Sequence, residues 1–276
     1  MGENEVANEQ VNYGVHEGAV RSAIVNENVQ EIDCTGLPIE VYIDDIDSYS
    51  NEEYAILRKN TLGASDSSIV LGVNPYKTPA DLIKEKAATT LTEEEKAVGD
   101  LTAVRKGRDL EPLIIEKDAK YFNRKFFKPK DMYRFKETPW LTLNFDGVYK
   151  DPKAGYIPVE IKTVTMYGEK HYNKNKAYFN EQFGFKALPK NYSESVADSI
   201  QQKAAQYGIP PYYYTQLQIQ MMALNAPYGY LSILFDKDWR FYSYFLYPDK
   251  ELWSKYIIQS WTLWQEVVKL NPDKAI

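Results

Sequence analysis

The chain has 276 residues and a formal net charge of −6, and 14% of its residues are aromatic. This length suits one large α/β domain with an additional arm. A single cysteine, Cys34, excludes an internal disulfide, and two histidines are too few for zinc sites or histidine-based nucleophilic catalysis. Any catalysis is therefore expected to depend on carboxylates, lysine and hard cations.

The polar N-terminal segment, residues 1–40, shows no sustained hydrophobic period and predicts a partly disordered arm or a subunit contact. Residues 41–276 are expected to form one domain. The sequence lacks both the pattern of a secretory signal and an apolar stretch long enough to span a membrane. We therefore expect a soluble, cytoplasmic protein, and the net negative charge argues against bulk nucleic-acid binding unless the charge is segregated.

Two early helices carry clear start signals. Thr78, Pro79 and Asp81 supply a side-chain cap, a proline at the first helical position and an acid in the first turn. In the next helix Pro112 is tolerable only within the first turn, so this helix is expected to begin near residues 108–111.

The second half of the chain alternates strand pairs with helices. Strands predicted at residues 140–150 and 156–164 are joined by a turn and are expected to form a hairpin. Residues 194–207 predict one helix. The later elements are a helix, two strands and a last helix, at residues 212–224, 228–236, 239–248 and 249–270. This order predicts a mixed α/β sheet flanked by helices.

The predicted strand at residues 156–164 carries charged side chains among apolar ones. Glu160 and Lys162 share one face because side chains alternate along a strand, and Val159 and Ile161 occupy the other. A hairpin can bring Asp146 beside Glu160. Two crowded carboxylates repel each other unless a cation neutralises them, and Mg²⁺ prefers oxygen ligands. Lys162 beside such an ion would have a lowered pKa and could help activate a water, which predicts a phosphodiester hydrolase site.

Structural roles for the same residues stay open. A Glu-x-Lys pair on a strand is often an exposed salt bridge, and Asp146 followed by glycine is often only a turn. Arg58 could pair with a neighbouring glutamate. Gln216 and Gln220 share one helical face and could link to nearby loops.

Five motifs occur in a characteristic order, namely LGASDSSIVLGVNPYKTP, GRDLEP, LNFDGV, VEIKT and YTQLQIQ. Together they resemble the YqaJ family of viral recombinases, which contains lambda exonuclease and belongs to the PD-(D/E)xK nuclease superfamily. The resemblance covers roughly residues 54–247 and implies a restriction-endonuclease-like α/β fold with a mixed β-sheet core flanked by helices. It also marks residues 165–212 as an insertion.

The resemblance implies roles for four charged residues of the motifs. Asp146, Glu160 and the backbone carbonyl of Ile161 would be the metal ligands, and Lys162 would be the catalytic lysine. Glu111 would be the helical acid that approaches a metal-bound water.

The resemblance also implies positions for a glutamine and for a DNA-end pocket. Gln218 would be the glutamine near the site, and Gln216 is a second candidate. Arg58 and Ser65 would bind the 5′-phosphate of the recessed strand. Asn144 stands where the family often has a serine, and its amide can still donate a hydrogen bond.

Two segments are candidates for DNA contact. Residues 117–136 hold eight Lys or Arg and two Asp, a local excess of +6, and residues 167–186 interleave lysine with aromatic residues. Basic clusters neutralise phosphates, and aromatic rings stack on unpaired bases. A solvated strand edge and a loop are the alternative interpretation.

The combined expectation is a Mg²⁺-dependent 5′-to-3′ double-strand DNA exonuclease of phage-type recombination, encoded by a phage or prophage, with Mn²⁺ as a substitute metal. The resemblance implies a homo-oligomer, a trimeric ring, that acts on double-stranded DNA ends with a single-strand annealing protein as partner. Two alternatives stay open. One is a structure- or sequence-specific endonuclease of the same fold, and the other is a catalytically inactive DNA-binding or host-interaction protein.

Overall fold

A computed structural model describes residues 31–98, 102–186 and 199–276, apart from the side chains of Val98 and Ala103. Within these ranges the strands are β1 (Ile39–Ile43), β2 (Leu62–Gly63), β3 (Phe126–Phe127), β4 (Met132–Phe135), β5 (Leu141–Leu143), β6 (Gly147–Asp151), β7 (Gly155–Val164), β8 (Phe179–Asn180), β9 (Gly184–Phe185), β10 (Gly229–Phe235) and β11 (Phe241–Leu246). The α-helices are α1 (Asn51–Leu57), α2 (Ser67–Val70), α3 (Pro79–Ala87), α4 (Glu93–Val98), α5 (Thr102–Phe122), α6 (Ile200–Tyr207), α7 (Pro211–Leu224) and α8 (Lys250–Leu270).

The larger sheet has seven strands in the order β3-β6-β7-β10-β11-β8-β9. β7 pairs antiparallel with β6 and parallel with β10, which confirms the expected mixed sheet. Helices cover both faces of β7 and β10. Asp118 of α5 accepts a hydrogen bond from Ser232, which is in register with Ile161, whereas Gln220 of α7 contacts Glu160 on the opposite face. The middle of the sheet is therefore enclosed by α5 and α7.

The first predicted strand is divided between two sheets. Residues 141–143 form β5 in a four-stranded sheet of order β1-β4-β5-β2, and residues 147–151 form β6 in the larger sheet. The predicted hairpin is therefore confirmed for β6 and β7 but not for the segment before them. The chain crosses from one sheet to the other at residues 144–146, and this crossing places Asp146 at the start of β6.

The predicted start of α5 is wrong. The helix runs from Thr102 to Phe122 with Pro112 inside it, although proline removes one backbone donor and crowds the preceding turn. The carbonyl that loses its partner belongs to the exposed residue Arg108, so water can hydrate this part of the helix. Packing of α5 on β7 and β10 stabilises the helix despite this local cost.

The predicted cap of α3 is confirmed, and α8 begins with a similar side-chain cap. Thr78 accepts a hydrogen bond from the backbone N–H of Asp81, whose carboxylate bonds back to Thr78, and α3 begins at Pro79. Asp249 accepts a hydrogen bond from the backbone N–H of Leu252 and caps α8. Side-chain caps of this kind satisfy donors that the helix itself leaves unpaired.

Most of the predicted arm, residues 1–30, lies outside the described residues. Within the rest of that segment, Ile32 is buried in the core, and β1 begins at Ile39 and pairs with β4. Residues 187–198, which include the first part of the helix predicted at 194–207, are also outside the described ranges; the described part of that helix is α6. Across the described residues, every helix is too short or too polar to cross a membrane.

Candidate active site

Three charged side chains, one directly before β6 and two on β7, converge on one point. Lys162 Nζ lies 3.3 Å from Asp146 Oδ2 and forms an ion pair with Glu160 Oε1. The backbone N–H of Ile161 donates to Asp146 Oδ2 at 3.0 Å. The pairing of Gly147 with Val159 positions Asp146 beside the following residues of β7. The sequence-predicted residues of β6 and β7 are thus brought together by strand register.

Glu160 is held inside the sheet. Its side chain is fully buried, and Gln220 Nε2 donates to Glu160 Oε2 at 2.6 Å. Burial and the nearby charge of Asp146 raise the pKa of Glu160 to about 7, although Lys162 and Gln220 act in the opposite direction. The charged carboxylate is therefore unfavourable in this environment, and an additional cation would relieve the repulsion.

Lys162 is a cation held by both carboxylates. Burial lowers the pKa of its ammonium, but the charges of Asp146 and Glu160 outweigh this effect and raise the pKa above its ordinary value. The sequence-based expectation of a lowered pKa assumed a neighbouring metal ion, and the carboxylates alone have the opposite effect. Lys162 Nζ also lies 5.4 Å from the centre of the Tyr213 ring, which closes one side of the cluster.

The donor set fits a hard divalent cation. Two carboxylates beside one ammonium leave an excess negative charge, and Mg²⁺ prefers oxygen ligands. The side chains of Asp146 and Lys162 are 26% and 23% exposed, so the cluster opens to solvent on their side. Within the described ranges no three His, Cys, Asp or Glu side chains are grouped closely enough to hold a metal ion alone. Backbone, water or substrate oxygens would therefore have to complete its coordination.

The predicted position of Gln218 is wrong. Its Nε2 donates to the carbonyl of Tyr247 at 2.8 Å, and its Oε1 accepts from the backbone N–H of Asp249 at 2.7 Å and from the indole of Trp253 at 3.2 Å. Gln218 therefore fixes the connection between β11 and α8. Two residues along a helix correspond to a rotation of roughly 200°, which explains why Gln220 reaches Glu160 and Gln218 does not.

Gln216 lies four residues before Gln220 and therefore on the same helical face. Its side chain is half-buried, whereas that of Gln220 is buried. The glutamine that sequence reasoning assigned to a linking role is thus the one that contacts the candidate metal ligand. The four-residue spacing of the two glutamines was the signal that could have identified it.

Glu111 lies on the α5 side of the site. It forms an ion pair with Lys128 at 2.7 Å. Burial lowers the pKa of Lys128, but the hydrogen bond and charge of Glu111, assisted by Asp146, raise it above its ordinary value. The charges of Glu111 and Asp146 therefore both act on Lys128, which connects Glu111 electrostatically to the cluster.

The predicted DNA-end residues also come together in part. Arg58 Nη2 donates to Ser65 Oγ at 2.9 Å, and Ser65 is exposed. The alternative in which Arg58 pairs with Glu52 or Glu53 is not found among the described ion pairs, since the guanidinium donates to Ser65 and Glu53 accepts hydrogen bonds from Ser50 that complete the cap of α1.

Asn144 is linked to both neighbouring groups. Its Oδ1 accepts from the hydroxyl of Tyr54 at 2.6 Å, and its backbone carbonyl accepts from Gln220 Nε2 at 3.4 Å. Arg58 is close enough to Tyr54 for its charge to counter the burial that raises the pKa of Tyr54. The sequence analysis did not identify Tyr54, which connects the predicted 5′-phosphate pocket of Arg58 and Ser65 with the strand crossing at Asn144.

The basic segment 117–136 is less available than its charge suggests. Several of its cations have partners within the protein, namely Lys117 with Glu181 at 2.7 Å, Lys128 with Glu111 at 2.7 Å, and Arg134 with Glu40 at 2.6 Å. Arg124 lies 4.4 Å from the centre of the Tyr149 ring. A large part of the local positive charge is therefore used in the fold, and DNA contact by this segment stays a prediction.

Comparisons with solved structures identify the same architecture. The alkaline exonuclease LHK-Exo from Laribacter hongkongensis aligns with a TM-score of 0.53 at 15% identity, over 79% of this chain and 93% of that chain. LHK-Exo in complex with dAMP aligns with a TM-score of 0.52 at 16% identity, over the same shares. At such low identity, these alignments establish the fold.

Sequence comparisons identify the family. The uncharacterized protein YqaJ of Bacillus subtilis (strain 168) is 28% identical over 123 residues, which are 45% of this chain and 36% of that relative, so the match spans about a third of the relative's length. The model of the YqaJ-like viral recombinase domain matches residues 53–226. This match includes the motifs that carry Glu111, Asp146, Glu160 and Lys162. The chain therefore belongs to the YqaJ-like viral recombinase domain family.

Proposed function

We propose that this protein is a Mg²⁺-dependent 5′-to-3′ exonuclease of phage-type homologous recombination. It hydrolyses phosphodiester bonds of double-stranded DNA from its ends and exposes 3′ single-strand tails. The observation that carries this proposal is the convergence of Asp146, Glu160 and Lys162 in a cluster that is partly open to solvent. Membership of a viral recombinase family and a fold shared with an alkaline exonuclease support it.

The proposed metal ligands are Asp146, Glu160 and the backbone carbonyl of Ile161. When bound there, Mg²⁺, or Mn²⁺ as a substitute, supplies Lewis-acid activation of a water and of the scissile phosphate. Gln220 fixes the orientation of Glu160 through its hydrogen bond of 2.6 Å. Such outer contacts commonly determine how well a carboxylate presents itself to a metal.

Lys162 and Glu111 stabilise charge at the phosphate and position the attacking water. The ammonium of Lys162 contacts the scissile phosphate and orients the attacking water, which places a positive charge where negative charge develops. Glu111 approaches the same water from α5, and its ion pair with Lys128 at 2.7 Å holds its side chain where the charge of Asp146 also acts on Lys128. The catalytic groups thus come from both β7 and α5.

Direction of digestion follows from end recognition. Arg58 and Ser65 bind the terminal 5′-phosphate, and Asn144 adds a donor through its amide. The relative LHK-Exo has been crystallised with dAMP, a mononucleotide of the kind that exonucleolytic digestion releases.

We further propose that the protein forms a trimeric ring and hands its single-stranded product to an annealing protein. Chromatographic mass with and without duplex DNA tests the ring.

The decisive assay compares three DNA substrates in Mg²⁺. Linear duplex with 5′-phosphates should be converted to mononucleotides and single-stranded 3′ tails, and linear duplex with 5′-hydroxyls should react more slowly. Covalently closed circular duplex should stay intact, because an end-dependent enzyme has no starting point there. Cutting of the circle would favour an endonuclease, and no hydrolysis with either Mg²⁺ or Mn²⁺ would favour an inactive binding protein.

A further inference from the structure

A cleft of about 850 Å³ lies beside the candidate active site. It is formed by residues 73–76, residues 170–175 and the beginning of α7. Tyr212 lines this cleft and packs against Tyr213 with ring centres 4.5 Å apart. Because Tyr213 lies 5.4 Å from Lys162 Nζ, these two tyrosines form a wall between the cleft and the catalytic cluster.

The cleft presents an exposed aromatic platform. Tyr76 is 80% exposed, and its ring centre lies 6.2 Å from that of Tyr212 in an edge-on arrangement. A large ring at a cleft mouth next to a nuclease site suits stacking on a nucleobase. Bases within a duplex keep their faces covered by neighbouring pairs, so only unpaired nucleotides can use such a platform.

The charge of the cleft differs from that of the whole protein. None of its lining residues in the described part of the chain carries a carboxylate, whereas the protein has a formal net charge of −6. Lys170 and His171 line the cleft and are exposed, while Lys174 is paired with Glu169 at 2.6 Å. The N-terminus of α7 also faces it, and its N-cap residue Pro210 provides no side-chain cap. Lysine and a helix N-terminus both favour a phosphate.

One buried polar group lines the same cleft. Tyr172 is only 9% exposed, and among the described residues its hydroxyl has no hydrogen-bond partner. Buried hydroxyls are normally satisfied, so this one leaves an unfilled hydrogen-bonding position directly beneath the cleft surface. The cleft thus combines a stacking ring, a phosphate-compatible charge and an unsatisfied hydrogen-bonding group.

We infer that this cleft binds unpaired nucleotides of a DNA substrate, with a base on Tyr76 and a phosphate near Lys170 and the start of α7. The inference rests on the proposed function in one respect, namely that the adjacent cluster hydrolyses DNA. The unpaired nucleotides come either from the strand being digested or from the complementary 3′ tail. Both sources share the same chemistry, and tailed duplexes distinguish them.

The test is metal-free binding of fluorescein-labelled oligothymidylate, measured by anisotropy in EDTA. Tyr76→Ala should weaken binding about tenfold, because a nucleobase loses its aromatic stacking partner. Tyr49 is the matched control, since it is also an exposed tyrosine, at 40%, and neither lines the cleft nor lies in a predicted DNA-contact segment. Tyr49→Ala should change the Kd by less than about twofold, as expected for a surface substitution without a specific role.

Equal binding by Tyr76→Ala and the wild type, or an equal loss in both variants, would overturn the inference. So would an equal loss for blunt hairpin duplex, because that substrate offers no unpaired end. Among duplexes with a 5′ or a 3′ tail, the tail whose binding depends on Tyr76 identifies the strand that enters. Thermal unfolding of both variants checks that the fold is kept.

Binding without metal separates this inference from the proposed function. If the wild type binds through Tyr76 but hydrolyses no DNA in Mg²⁺ or Mn²⁺, the cleft inference stands and the exonuclease proposal fails. If hydrolysis occurs but Tyr76→Ala binds oligothymidylate like the wild type, the exonuclease proposal stands and the cleft inference fails.

Discussion

Two lysines of this protein pair with carboxylates in different proportions. Lys86 forms a one-to-one pair with Asp66 at 2.8 Å. Lys162 is shared between Asp146 and Glu160. The first pair is almost fully enclosed, whereas the second group opens partly to solvent at Asp146 and Lys162. The two also differ in charge balance, because the first pair is neutral and the second group keeps an excess negative charge.

The carboxylates respond to this balance in opposite ways. Burial alone would raise the pKa of Asp66, but the charges of Lys86 and Arg58 lower it below its ordinary value. In Glu160, burial and the charge of Asp146 prevail and raise the pKa to about 7. A neutral buried pair is a structural element, whereas a buried surplus of carboxylates indicates a site that lacks a counter-charge.

The largest expected effect is on hydrolysis. Lys162→Met should lower Mg²⁺-dependent digestion of linear duplex by about 10³-fold or more, because it removes the cation that stabilises charge at the scissile phosphate. Lys203 provides a matched control, since it is paired with Asp249 at 2.9 Å away from the catalytic cluster. Lys203→Met should keep the specific activity. Comparable losses in both variants would show that Lys162 has no special role.

The balanced pair should respond as a structural element. Asp66→Asn leaves the buried Lys86 without its counter-charge, and we expect it to lower the free energy of unfolding by about 3–5 kcal/mol at pH 7. Because folding lowers the pKa of Asp66, its stabilising contribution is present above the ordinary carboxyl pKa and is lost as the pH falls through the folded value. The penalty should therefore shrink in acid. Urea denaturation at several pH values measures it, and a penalty that grows in acid would contradict this account.

The unbalanced site should show the opposite dependence on pH. Folding raises the pKa of Glu160 to about 7, so the metal-free protein loses stability as the pH rises from the ordinary carboxyl pKa through this value. Glu160→Gln removes this loss, and its free energy of unfolding should gain about 1–3 kcal/mol relative to the wild type between pH 5 and pH 8. Urea denaturation in EDTA gives the comparison. If the free energy of unfolding of Glu160→Gln instead falls relative to the wild type as the pH rises, the assigned excess of negative charge is refuted.

The two glutamines of α7 extend the same contrast with smaller effects. Gln220→Ala should lower hydrolysis about 10- to 100-fold, because Gln220 orients a proposed metal ligand. Gln218→Ala should instead lower the free energy of unfolding by about 1–3 kcal/mol through lost hydrogen bonds and keep the specific activity. Activity and urea denaturation of both variants provide the readouts. If Gln218→Ala instead lowers hydrolysis and Gln220→Ala lowers only the free energy of unfolding, the sequence-based assignment of Gln218 is restored.

Short-range patterns made much of the site predictable. Alternation along a strand placed Glu160 and Lys162 on one face, and a hairpin with a short turn brought Asp146 beside them. The rotation of α7 about its axis was not accessible in this way. This rotation is determined by packing against the sheet. The motif YTQLQIQ contains three glutamines, and the sequence alone did not show that Gln220 is the one that faces Glu160.

Long-range contacts explain the remaining differences. Tyr54 and Asn144 are 90 residues apart in sequence, and their hydrogen bond follows from the crossing of the chain between two sheets. Tyr76 and Tyr212 come together only when the loop after α2 meets the start of α7. No local sequence pattern predicts such pairs, so the cleft beside the active site could be identified only from the folded structure.

Binding of Mn²⁺ measured by electron paramagnetic resonance tests the central claim most directly, because it detects the metal without requiring catalysis. We predict that the wild-type protein binds Mn²⁺ and that Asp146→Asn weakens this binding about tenfold or more, as expected when a charged ligand is lost. Asp66→Asn, studied where it stays folded, should bind Mn²⁺ like the wild type. Unchanged Mn²⁺ affinity in both Asp146→Asn and Glu160→Gln would contradict the assignment of these carboxylates as a metal site.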